Sequence, residues 1–301
     1  MIPLFDLHCD TLSKAYRLGL SLDSQKLHIS TKKSLEFSPY SQVMAIWTDD
    51  LLSDSDGFLQ YKKIVEFSKK QGIFFSNKNG KALPDSSVLL SIEDARIIEG
   101  DLSRIELFCR DCVRFITPVW KNTNILGGAW NTDSGLSSYG KVAISEMLKS
   151  DIIIDVSHSS TQSFFEILEL CSKLGKMPIA SHSNSFSVCP HKRNLTNEQF
   201  SLLVSLDSIV GISLAPEHLS CSPIAYTDDI IRHIDAYLSL GGENNICLGC
   251  DFDGIEKMPF GYNGMSGLHI LFDALCKRYG KDISVKIFRD NAAQFMYKYL
   301  H

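Results

Sequence analysis

The sequence contains no run of about 18 apolar residues, so a membrane-spanning helix is not expected. It has no excess of positive charge. Thirty Lys and Arg stand against 35 Asp and Glu, giving a net charge of -5 and a pI near 6.0, which offers nothing to a nucleic-acid backbone. The N-terminus lacks a basic stretch followed by an apolar one, so no signal peptide is expected. No heptads, internal repeats, long charged tails or low-complexity tracts occur, which argues against a structural or scaffolding role. No linker or shift in composition divides the chain, and a single domain spanning residues 1–301 is expected.

What is present is a large apolar complement, 44% of 301 residues, enough to bury a sizeable core. Nine cysteines occur. With no export signal they read as reduced thiols in a cytoplasmic protein. Two Cys-x-x-Cys pairs, Cys109/Cys112 and Cys247/Cys250, lie far apart in apolar segments. They are expected to be buried and unligated rather than a zinc site.

Short apolar runs alternate with amphipathic stretches. The runs expected as strands are Leu4–His8, Val43–Trp47, Val88–Glu93, Val113–Thr117, Ile152–His158, Pro178–His182, Ile209–Leu214 and Ile246–Asp251. Most are continuous and rich in Ile, Val and Leu, as parallel strands covered on both faces are. Helical spacing marks Gly57–Lys70, Lys141–Ser150, Thr161–Leu174, Asn197–Leu206 and Thr227–Leu240, with a further candidate within Asp94–Leu107. Two more helices, Ser266–Tyr279 and Ile283–Tyr299, follow the last strand. Gly72–Ser87 reads as an excursion, with a hairpin through Ile73–Ser76. Eight strands alternating with helices predict an α/β fold, a single (β/α)8 TIM-like barrel with extra C-terminal helices. The alternative, an open doubly wound sheet, normally carries a Gly-rich phosphate loop after its first strand, and His8-Cys9-Asp10-Thr11 is not one.

The chemistry collects at the C-terminal ends of these strands, where barrel active sites lie. The first supplies His8 and Asp10, which project to the same side because residues two apart in a strand do so. The third supplies Glu93, the fifth Asp155 and His158, the sixth His182, and the eighth Asp251 and Asp253. One such residue is unremarkable as a helix cap or a satisfied core histidine. Six or more in corresponding places point to a metal site. Nitrogen and oxygen donors without sulfur suit zinc or another first-row divalent ion.

Leu7-His8-Cys9-Asp10-Thr11, Ile92-Glu93, Asp155-Val156-Ser157-His158-Ser159, Ser181-His182-Ser183-Asn184, Lys192-Arg193-Asn194 and Gly249-Cys250-Asp251-Phe252-Asp253-Gly254 occur in this order. Together they resemble the renal (membrane) dipeptidase family of zinc metallopeptidases, among the amidohydrolase-like barrels, over essentially the whole chain. The resemblance implies two zinc ions. His8 and Asp10 would hold one, His158 and His182 the other, and Glu93 would bridge them. It further implies hydrolysis of dipeptides by a hydroxide bridging the two metals, with Asp251 as acid/base and Arg193 binding the substrate carboxylate. It also implies dimers, although no sequence feature marks an interface. The family often carries a substrate-contacting histidine at the end of its fourth strand. Here that region reads Ile116-Thr117-Pro118-Val119-Trp120-Lys121-Asn122, and Trp120 is the candidate for that wall of the pocket. Two rival readings remain: a metal-dependent hydrolase of another amide, such as a lactam or N-acyl amino acid, and a non-catalytic barrel that only binds.

Overall fold

The computed structural model describes residues 1–73, 75 and 86–300. The excursion expected at Gly72–Ser87, with its hairpin, lies largely outside them. The described residues form two compact units. The first contains residues 1–44, 86–88 and 180–300, and the second residues 45–73, 75 and 89–179.

In the first unit, strand β1 (Ile2–Cys9) is central. It is flanked by β2 (Phe37–Trp47), whose first part belongs here, and by β7 (Ile246–Leu248), which in turn pairs with β6 (Val210–Ile212). All of these pairings are parallel. Leu4, Leu7 and Cys9 on β1 and Ile246, Cys247 and Leu248 on β7 are fully buried, as the unbroken apolar runs foretold. Two glycines set the spacing beside β6 and β7. A Cβ on Gly211 or Gly249 would lie 1.9 or 1.7 Å from the Ser181 carbonyl oxygen, so only a residue without one admits the backbone on which His182 sits.

In the second unit, β3 (Ser87–Glu93), β4 (Val113–Thr117) and β5 (Ile153–Ile154) follow in that order, again parallel. Helices connect the strands, and hydroxyl caps fix where several begin. Ser53, Ser137, Ser160 and Thr196 each accept the backbone N–H three residues on, opening Asp54–Lys70, Ser138–Lys149, Thr161–Lys173 and Asn197–Ser205. Gly241, at φ 83°, follows the helix Thr227–Ser239. Asp94–Leu107 resolves into a 3-10 turn, Ala95–Ile98, and a helix, Arg104–Arg110. The extra C-terminal helices are present as Leu268–Tyr279 and as Lys281–Val285 continuing through a π turn, Lys286–Asp290, into Asn291–Leu300.

Two strand expectations need correction. Ile152–His158 is a strand only at Ile153–Ile154, because the chain turns after Asp155: the Ser159 N–H reaches back to the Val156 carbonyl (3.1 Å) and His158 adopts φ 69°. Pro178–His182 forms isolated bridges rather than a strand. Ile179 pairs with Asp155 within the second unit and Ala180 with Val210 within the first. The cysteines also differ in part. Cys247 and Cys250 are buried as expected, but Cys109 is exposed and Cys112 half-buried. Cys109 lies in the last turn of the helix Arg104–Arg110, whose buried residues are Ile105 and Phe108, and Cys112 follows the helix at φ 66°, so the apolar segment does not carry them inward. None of the nine cysteines is in a disulfide.

Candidate metal centre

The first unit gathers His8, Asp10, Asp251, His182 and Arg193. β1 and the chain after β7 are laced together at their ends. The Asp251 N–H donates to the His8 carbonyl (3.1 Å), and the Asp10 N–H to that of Phe252 (2.8 Å). This lacing puts His8 Nε2 3.3 Å from Asp10 Oδ2 and 3.9 Å from Asp251 Oδ1. One ligand atom from each of the three lies within 4.8 Å of the other two, and His8 and Asp10 are buried. The His182 ring stacks on that of His8 at 4.0 Å, and the Ser181 hydroxyl meets its Nδ1 at 2.7 Å. Arg193 is buried, and one guanidinium nitrogen donates to the His182 carbonyl at 3.4 Å.

Asp6 holds this end of the sheet together and was not singled out from sequence. One of its carboxylate oxygens accepts both the His8 N–H (3.2 Å), on β1, and the Cys250 N–H (2.9 Å), in the chain just after β7. A charged residue inside an otherwise apolar strand was the available signal, since buried polar groups seldom lack a task. Asp253 is a brace beside the site. It accepts from the Thr11 hydroxyl (2.7 Å) and the His28 N–H (2.9 Å), and pairs with Lys14 (3.2 Å).

Burial pushes the Asp251 carboxyl up to about 7; the His8 imidazole and Arg193 pull it back, and the Asp10 charge adds to the rise. A carboxyl tuned this way can both take and return a proton near neutrality. Arg193 also helps burial to hold His191 and His218 below their usual range. The rings of those two histidines lie 4.6 Å apart beside the arginine. His233, by contrast, is a satisfied core histidine. Its Nδ1 accepts the Ser185 N–H (3.0 Å), its Nε2 faces the Leu219 carbonyl (3.0 Å), and burial lowers it to about 4.

The second unit gathers Glu93, His158 and Trp120. Glu93 ends β3, and its Oε1 lies 2.8 Å from His158 Nε2. His158 Nδ1 faces the Trp120 carbonyl at 3.0 Å. Trp120 and Trp47, the latter not foreseen, meet edge to face at 5.0 Å. Asp155 accepts from the Thr117 hydroxyl (3.0 Å) and the Ser157 N–H (2.9 Å). The backbone is left-handed at Asp94, His158, Asp251 and Asp253 (φ 66°, 69°, 61° and 68°), a region that non-glycine residues enter at a cost and that also occurs away from the site, at Glu99, Cys112, Asp151 and Asp207.

The donors fit a divalent cation. They are imidazole and carboxylate, largely buried, and Asp10 Oδ1 is a buried oxygen with no hydrogen-bond partner among the described residues, which a cation would satisfy. Gly254 leaves the necessary room. A Cβ there would lie 2.3 Å from both Asp10 Oδ2 and Asp251 Oδ1. Both atoms are tips of side chains, so Gly254→Ala will cost the fold little. It will displace both carboxylates and lower turnover at least tenfold. Kinetics beside a thermal melt will check this, and unchanged kinetics would show that the carboxylates need not stay where they are.

The family model described as membrane dipeptidase (peptidase family M19) matches residues 1–298. The chain belongs to this family, which places it in the class of metallodipeptidases. The dipeptidase aclJ of Aspergillus oryzae is 30% identical over 199 residues, 64% of this chain and 46% of that protein, so the match spans about half of its length. Among solved structures, the dipeptidase AC, a metallopeptidase of family M19, superposes with a TM-score of 0.84 at 21% identity over 98% of both chains. A metallopeptidase of Rhodobacter sphaeroides, bound to a phosphinate mimic of the dipeptide L-Ala-D-Ala, also gives 0.84 at 21% identity, over 98% of this chain and 99% of that one. At such identity the likeness shows the fold, the TIM-like α/β class expected from the strand and helix pattern.

Proposed function

We propose that the chain hydrolyses the peptide bond of dipeptides with two bound zinc ions. His8 and Asp10 would hold one ion and His158 and His182 the other, with Glu93 as the further carboxylate donor. The observation that carries this reading is the His8–Asp10–Asp251 group, its first two members buried, with an Asp10 oxygen that has no hydrogen-bond partner among the described residues, in a chain matched over residues 1–298 by a metallodipeptidase family. When bound, the ions would acidify water and polarise the carbonyl it attacks.

The chain's own residues do the rest. Arg193 anchors the free C-terminal carboxylate through its planar fork of donors. Asp251 accepts the proton lost by the attacking water and delivers it to the leaving amine, as its position beside His8 and its raised pKa allow. Trp120, backed by Trp47, walls the side-chain pocket where relatives often carry a histidine. The nine free thiols support a reducing, cytoplasmic setting.

The test is a panel of dipeptides with L and D C-terminal residues, N-acyl amino acids and a lactam, assayed with added zinc and with chelator. Chelator-sensitive cleavage of dipeptides above the other amides is expected. Preference for an acyl amino acid or lactam would move the reading to another amide hydrolase. Zinc uptake with no cleavage would favour a binding protein.

A further inference from the structure

One side chain ties down the loop that follows β4. The Asn124 amide nitrogen donates to the Pro118 carbonyl and to Asp94 Oδ1, both at 2.8 Å. Its amide oxygen accepts the N–H groups of Leu126 (2.7 Å) and Gly127 (3.3 Å). Two donor hydrogens and two lone pairs are thereby all used, and the partners fix which end is nitrogen, because carbonyl and carboxylate accept while the N–H groups donate. The Asn124 N–H closes the turn further onto the Gly127 carbonyl (3.0 Å). Asp94, the outer anchor, directly follows Glu93 and is held by Arg96 Nε at 3.2 Å.

The loop so fixed carries Trp120, whose carbonyl lies 3.0 Å from His158 Nδ1. A carbonyl can only accept, so Nδ1 bears the proton, and Nε2 is the atom directed 2.8 Å from Glu93 Oε1. A histidine that ligates through Nε2 needs that tautomer and that ring orientation. A second stitch holds the same turn: the Trp130 N–H donates to the His158 carbonyl at 2.8 Å.

We propose that Asn124 is the positioning residue of the Glu93–His158 pair. It anchors the Pro118–Gly127 turn to the residue after Glu93. The Trp120 carbonyl is thereby set where it locks His158 with Nε2 toward Glu93. The inference rests on the reading of Glu93 and His158 as ligands. It acts through a main-chain carbonyl, so the Trp120 indole is not needed for it. A half-buried loop asparagine would look dispensable in sequence, and only the four side-chain bonds reveal the task.

The experiment is zinc affinity of the full chain, measured by competition with a chromophoric chelator, for wild type, His158→Ala, Asn124→Leu, Asn124→Asp and Trp120→Phe. Thermal melts accompany each variant. Asn124→Leu removes every side-chain bond, and Asn124→Asp sets a carboxylate against Asp94 while losing the donor to Pro118. Both are expected to weaken one of two zinc sites about tenfold to a hundredfold, the usual cost of losing a group that orients a ligand. Trp120→Phe is expected to stay within about threefold, since its carbonyl remains. Nitrogen NMR of the histidine rings is expected to show the Nδ1–H form of His158 in wild type and a mixture in Asn124→Leu. If His158→Ala loses one zinc and folded Asn124 variants bind both as wild type does, the inference fails alone. If His158→Ala keeps both ions, the ligand reading fails and takes the inference with it. Should Asn124→Leu not fold, Asn124→Asp decides: wild-type affinity there overturns the proposal.

Discussion

Asp251→Asn will reduce turnover about a hundredfold to ten-thousandfold, the range that a positioned acid/base contributes, while zinc content stays unchanged. Asparagine keeps the shape of the side chain and its place beside His8. It cannot take a proton from water or return one to the departing amine. The residue is held for that work by its own backbone, through the bond from its N–H to the His8 carbonyl (3.1 Å) and through its left-handed conformation at φ 61°. Nearly wild-type turnover would remove it as proton carrier. Loss of zinc in this variant would instead make Asp251 a ligand, a role that its position in the His8–Asp10 group also permits.

Arg193→Ala will lower kcat/KM for a dipeptide about tenfold to a hundredfold, corresponding to the roughly 1.5–3 kcal/mol of a hydrogen bond to a charged group. The loss should vanish for a dipeptide whose C-terminus is an amide, because that substrate offers no carboxylate to pair. The comparison forms a double-mutant cycle between enzyme and substrate. Arg193→Lys should fall between, since a single ammonium cannot reproduce the guanidinium fork. The arginine is buried, and its charge is felt at Asp251, His191 and His218, so its partner would lie in the same region as the proton carrier. Equal losses on acid and amide substrates would mean that Arg193 supports the loop rather than the ligand.

Much of this was legible in the sequence, for definite reasons. Continuous runs such as Leu4–His8 mark strands buried on both faces, and the period of two along such a strand already sets His8 beside Asp10. Helix starts were readable where a hydroxyl precedes the periodic stretch, as at Ser160 and Thr196. Strand ends were less so. Pro178–His182 reads as a strand by composition, yet the chain there bonds only by single bridges, which depends on neighbours far along the sequence. Asp6 and Asn124 were missed because their importance lies in what their atoms meet. A strand aspartate two residues before His8 and a loop asparagine carry no spacing signal for a backbone N–H 244 residues away or for a carboxylate 30 residues back. Exposure of Cys109 was equally invisible, since it turns on which face of the short helix Arg104–Arg110 is buried, the one carrying Ile105 and Phe108.

Two-metal hydrolysis of dipeptides is tested by a zinc titration. The full chain is stripped of metal, and dipeptide hydrolysis is followed as zinc is returned in known equivalents. No turnover is expected at the start, and a rise that is complete at two zinc ions per chain. Completion at one equivalent, or turnover untouched by stripping, would contradict two-metal hydrolysis.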